Sequence, residues 1–87
     1  VKIKRTPKFK RSYKERIAIK PSLVKELEDS LQLFIESPSN PLLKDHPLVE
    51  EKFGLRSFSV NQEIRIVYQK TKNGLTLYDI GTHKQVY

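Results

Sequence analysis

Hydrophobic positions along the 87-residue chain change their period along its length. From Val1 to Thr6 they alternate. Val1, Ile3 and Arg5 lie on one side and Lys2, Lys4 and Thr6 on the other, which predicts a short strand with an exposed basic face. Thr6-Pro7 reads as a helix start, with Thr6 as N-cap and Pro7 in the first helical position. Phe9, Tyr13 and Ile17 then recur every four residues, the buried stripe of a helix over 7–17 whose other face is basic. Pro21-Ser22 opens a second helix, capped by Lys20 or Ser22. Its stripe is Leu23, Leu27, Leu31 and Phe34, with Val24 and Ile35 beside it. Ser37-Pro38-Ser39-Asn40-Pro41 ends this helix, because proline cannot continue it and restricts the residue before it. With so short a connection the two helices should form an antiparallel hairpin.

Residues 38–54 show no clear period and hold three prolines, Pro38, Pro41 and Pro47. A long irregular segment is expected there, with room for a helical turn near Leu48–Phe53. After Gly54 the period becomes two. Leu55–Val60 and Glu63–Lys70 read as strands joined at Asn61-Gln62. Ile64, Ile66 and Tyr68 share one face of the second strand; Glu63, Arg65 and Val67 share the other. Lys72-Asn73-Gly74 signals a hairpin into a third strand, Leu75–Ile80, which Gly81 ends. The order β-α-α-β-β-β defines a single α+β domain over residues 1–87: a mostly antiparallel sheet with a helical hairpin on one face.

Composition narrows the chemistry. The chain has no Cys, Met or Trp, which excludes disulfides, thiolate metal sites and a cysteine nucleophile. Apolar runs such as Leu33-Phe34-Ile35 are far shorter than the roughly twenty residues of a membrane span. The basic N-terminal stretch does not pass into the apolar segment of a secretion signal. A cytoplasmic protein that avoids membranes is the expectation. The net charge of +7 is unevenly placed. Residues 1–20 carry nine basic side chains against Glu15 alone; the rest of the chain carries eight bases and nine acids. A basic helix can be merely a solvated face, but this imbalance exceeds what solubility needs and suits a polyanion. Lys8, Lys10, Arg11 and Lys14 are its candidate contacts.

The two histidines, His46 and His83, carry the side chain whose ordinary pKa lies near neutrality. His46 lies in the long segment before the meander and His83 just beyond its last strand. Taken singly, each also fits a structural role, His46 in a turn and His83 in an exposed tail. Two histidines without a third ligand do not complete a metal shell, so no metal or cofactor is expected. Arg56 and Arg65 on the meander and Lys52 before it are fixed cations suited to phosphate, or alternatively partners of local acids such as Glu63 and Asp79. Tyr87 suits stacking on a base or covering the edge of the core.

Four segments, in order, carry a resemblance: Lys44-Asp45-His46-Pro47-Leu48, Gly54-Leu55-Arg56-Ser57-Phe58, Ile64-Arg65-Ile66-Val67-Tyr68, and Asp79-Ile80-Gly81-Thr82-His83 followed by Val86-Tyr87. Together with the N-terminal strand and helical hairpin they resemble the RelE/ParE toxin superfamily, and within it the YafQ-like messenger-RNA endonucleases. The resemblance implies a type II toxin that cleaves mRNA, usually on the ribosome, and is silenced by a cognate antitoxin, with no direct DNA binding by the toxin itself. It implies catalytic roles for His46, His83 and Glu63 and an aromatic contact for Tyr87. Glu63 stands where that branch often has Asp, and Ser59 where some members have a third histidine. ParE-like members inhibit DNA gyrase instead, so a gyrase inhibitor and an inactive RNA- or antitoxin-binding module are the alternatives.

Overall fold

The structure, a computed structural model, describes residues 2–48 and 54–86. The elements are β1 (Lys2–Arg5), α1 (Pro7–Arg16), α2 (Pro21–Glu36), a 3-10 turn (Pro41–Leu43), β2 (His46–Pro47), β3 (Arg56–Ser59), β4 (Ile64–Thr71), β5 (Gly74–Thr82) and α3 (His83–Val86). The strands form one sheet in the order β1-β5-β4-β3-β2. β1 runs parallel to β5 and every other pair is antiparallel.

The expected α+β architecture is present, with differences at its margins. His46-Pro47 is a short edge strand paired with β3, where an irregular segment was expected. Residues 49–53, most of the helical turn anticipated near Leu48–Phe53, lie outside the described residues. β5 runs through Gly81 to Thr82, and the expected tail is the one-turn helix α3. Its start has a sequence signal: Thr82 and Gln85 form a capping box, in which Thr82 N donates to Gln85 Oε1 at 2.8 Å and Gln85 N to Thr82 Oγ1 at 3.4 Å. Gly74 also serves a different purpose from the one its hairpin suggests. Thr71 pairs with Gly74 across Lys72-Asn73, so the glycine is already in the strand. A Cβ there would lie 1.8 Å from the Lys2 carbonyl oxygen, and its absence lets β1 pair with β5.

The core lies between α2, α1 and one face of the sheet. Ile64, Ile66 and Tyr68 point into it, as their alternation predicts, with Phe9, Ile17, Leu27, Phe34, Phe58, Leu75, Leu77 and Ile80. Phe34 stacks on Phe58 at 4.6 Å between centroids, and Tyr68 meets both rings edge-on at 5.0 and 5.4 Å. A smaller cluster of Leu48, Val67 and Val86, with Leu55 and Tyr78, packs on the other face under α3.

β1 covers β5 only from Gly74 to Leu77; beyond that α1 takes its place along the edge. Thr6 N donates to Leu77 O and Thr6 Oγ1 to Tyr78 O, each at 3.0 Å, while the same hydroxyl caps α1 by accepting from Phe9 N. Arg16 Nη1 donates to Ile80 O at 3.0 Å. These bonds satisfy edge carbonyls that a strand would otherwise have to reach. A bulge in β5 supplies the matching acid. Pairing steps from Val67 with Asp79 to Tyr68 with Leu77 and leaves Tyr78 as the extra residue. In a regular strand Asp79 would share the core face of Leu75 and Leu77. The bulge turns it out of the core and onto the Lys8–Ser12–Arg16 stripe of α1. There its buried carboxylate accepts from Ser12 Oγ at 2.6 Å and Ile80 N at 2.9 Å, with Arg16 and Lys8 at 3.5 and 3.6 Å.

Asp79→Ala should therefore lower stability by about 2–4 kcal/mol, since it orphans a buried hydroxyl and unpairs Arg16. Urea denaturation checks this. A loss below about 0.5 kcal/mol would show that Asp79 does not anchor α1.

Candidate active site

Directly opposed residues in a sheet share a face. The register therefore draws two rows on the face turned away from α2. One row is His46, Ser57, Val67 and Asp79; the next is Ser59, Arg65 and Gly81. Glu63 lies in the turn just ahead of β4, and His83 follows Gly81 at the start of α3. β2 and β5 are three interstrand spacings apart, about 14 Å, with Arg65 between them. The two histidines thus flank Arg65 from opposite edges of the face.

His46 is exposed, and its Nδ1 lies 3.1 Å from the Pro47 carbonyl oxygen. A carbonyl only accepts, so this contact holds the proton of the neutral ring on Nδ1 and leaves Nε2 as the acceptor. Arg65 reaches across β3. Its Nε donates to Ser57 Oγ at 2.7 Å and its Nη2 to Ser57 O and Lys44 O at 3.1 and 2.9 Å. The guanidinium is thereby fixed beside the entry to β2. Glu63 is exposed, its backbone N–H held by Asn61 Oδ1 at 2.8 Å in an Asx turn. Ser59 donates to Asn61 O at 2.6 Å, so its hydroxyl braces that same turn.

Arg56 is not brought to this face. It is registered opposite Tyr68, on the α2 side, and it grips Asp45: Nε to Oδ1 at 3.3 Å and Nη2 to Oδ2 at 3.1 Å. The bond to Asp45, then that to Tyr68, raises the guanidinium further above its ordinary pKa. Tyr68 Oη donates to Asp45 Oδ1 at 2.7 Å. Burial, first, and this bond, second, push the Tyr68 phenol well above its ordinary value, so it remains a donor. Neither Asp45 nor Tyr68 stood out in the sequence as a site residue. The signal was available: a tyrosine in the core stripe of β4 must find a partner for its hydroxyl.

Lys8, Lys10, Arg11 and Lys14 are all exposed along α1. Lys8 and Arg11 also line a cleft of about 450 Å³ with Leu55, Val67, Tyr78 and Val86, on the side of the sheet that carries His46 and Arg65. Lys52 and Tyr87 lie outside the described residues. Among the described residues no three His, Asp or Glu side chains are grouped to hold a metal ion, and no helix is long and apolar enough to cross a membrane.

Gly81 packs against Gln85, the capping side chain of α3, the helix that begins at His83. A Cβ on Gly81 would lie 2.6 Å from Gln85 Oε1 and 2.8 Å from Arg16 Nη1. Both are ends of long side chains, so the sheet should persist while the capping glutamine moves. Gly81→Ala should shift the imidazole NMR signals of His83, leave those of His46 in place, and lower stability by about 1 kcal/mol or less. Unmoved His83 signals would contradict this coupling.

The family model for the bacterial toxin of type II toxin–antitoxin systems, YafQ, matches residues 1–87. No curated protein matches the chain. Among solved structures, a point mutant of YafQ from E. coli is 22% identical with a TM-score of 0.83, covering 99% of this chain and 97% of that one. The E. coli DinJ–YafQ complex is 24% identical with a TM-score of 0.79, at the same coverage. A toxin from Helicobacter pylori, described as metal-bound, is 27% identical with a TM-score of 0.81, covering 100% and 99%. The match of the family model over its whole length, on a fold shared with these toxins, shows that the chain belongs to the YafQ family of bacterial type II toxins.

Proposed function

We propose that the protein is an endoribonuclease that cuts mRNA on the ribosome without a metal ion, by attack of a ribose 2′-OH on the adjacent phosphate. The observation that carries this reading is the shared face: His46 and Arg65 lie on it, and α3 starts at His83 directly after Gly81 of the same row. RNA brings its own nucleophile. The protein must take the 2′-OH proton, stabilise the negative phosphorane and protonate the departing 5′-oxygen. His46, with Nε2 as acceptor, takes the proton. Arg65 holds the phosphate. His83 returns a proton to the 5′-oxygen, which leaves a 2′,3′-cyclic phosphate and a 5′-hydroxyl. Glu63 tunes or orients a histidine. Lys52 joins the phosphate contacts and Tyr87 stacks on a base.

The exposed bases of α1 engage RNA backbone. An antitoxin with an acidic or amphipathic segment covers the same surface and silences the toxin, in keeping with the DinJ–YafQ complex formed by its structural neighbour.

A ribosome-bound mRNA with a single 5′-bridging sulfur tests the proton assignments, because a thiolate leaves without protonation. His83→Ala should lose cleavage of ordinary RNA by about 10²-fold or more and recover most of it on the sulfur substrate. His46→Ala should lose cleavage of both. Rescue of His46→Ala in place of His83→Ala would exchange the roles; full activity in both variants would refute the mechanism. Replacing Lys10 and Lys14 together by Gln should weaken ribosome binding and reduce the log–log salt slope by about 1 to 2. An unchanged slope would remove α1 from the RNA interface.

A further inference from the structure

Resting on the nuclease reading for its kinetic consequence, we infer that Asp45, clamped by Arg56 and Tyr68, is the positioning residue that holds His46 in place. β2 has two residues, and Pro47 has no N–H for the ladder. It lies at the edge of the sheet with one strand neighbour. Two ladder pairs and the Leu48 N to Leu55 O bond are little to fix an edge strand. The segment also enters β2 through Lys44, whose φ of 48° is the left-handed conformation that side chains disfavour.

Leu43 and Leu48 are buried at either end of this segment, and between them side-chain chemistry from the inner strands holds it. The Asp45 carboxylate receives two bonds from Arg56 of β3 and one from Tyr68 of β4. Arg65 of β4 binds the preceding carbonyl, Lys44 O. Tyr68 is itself held by packing, with its ring fully buried against Phe34 and Phe58. His46 is the first residue of β2, so holding the Asp45 carboxylate fixes the backbone that leads into it, and the register with Ser57 puts the His46 side chain on the reactive face. The clamp acts through the backbone between Asp45 and His46, and Arg56 is part of it, not a phosphate ligand.

Tyr68→Phe tests this with the core ring retained; Asp45→Asn, which keeps shape and loses charge, is the second variant. Both should broaden or split the imidazole NMR signals of His46 and leave those of His83 unchanged. Both should lower kcat about tenfold to a hundredfold with KM nearly constant, since misplacing a catalytic group costs that much. In a His46→Ala background neither should lower cleavage further. Unaltered His46 signals in both variants would overturn the clamp. So would a raised KM at constant kcat, or a full additional loss in the His46→Ala background, because those mark Arg56 and Asp45 as acting on substrate directly. If the wild type cuts no RNA, the nuclease reading falls, and the imidazole signals alone decide the clamp.

Discussion

The Tyr68 side chain joins the core to the segment that leads into β2. Its ring packs edge-on against the stacked Phe34–Phe58 pair, where α2 meets the sheet, and its hydroxyl reaches Asp45. A buried tyrosine whose hydroxyl lacked a partner would be a liability of about 1–3 kcal/mol. Here the need to satisfy that hydroxyl is met by the carboxylate beside His46. Packing in the core and placement of the histidine are therefore one problem solved by one residue. The same logic holds for Arg65, whose reach from β4 to Lys44 O ties a central strand to the edge.

The basic helix is organised by an equivalent constraint toward the opposite edge of the sheet. The β5 bulge turns Asp79 out of the core, and the acid binds Ser12 and draws in Arg16 and Lys8. Some of the N-terminal positive charge is thus structural. Lys10, Arg11 and Lys14 remain exposed and supply the field that suits a polyanion. Arg16 also contacts the neighbourhood of Gly81, so the seat of α1 and the start of α3 are adjacent.

Much of this was legible in the residues themselves. Periodicity located α1, α2 and the three-strand meander, because each buries one clean stripe or face. Thr6-Pro7 marked the α1 cap correctly, and four short motifs placed the chain in its toxin family. Other features depend on long-range pairing and left no local period. β2 is too short to alternate, and β1 pairs with β5 over seventy residues away in sequence. The division between Arg56 and Arg65 depends on strand faces: both are arginines on meander strands, yet register sends one to the Asp45 clamp and the other to the histidine face. The bulge at Tyr78 likewise has no sequence period, since it breaks one.

The central claim is that this YafQ-family chain cuts mRNA through the face bearing His46, Arg65 and His83. Primer extension on mRNA from a translating extract tests it most directly, with wild type beside His46→Ala and His83→Ala and gyrase supercoiling assayed on the same samples. The account predicts new 5′ ends with the wild type, about a hundredfold or more fewer with either variant, and unimpaired supercoiling throughout. Gyrase inhibition without new 5′ ends would contradict it and place the protein with the gyrase-directed toxins. No effect on either target would leave a binding module in which the two histidines serve structure alone.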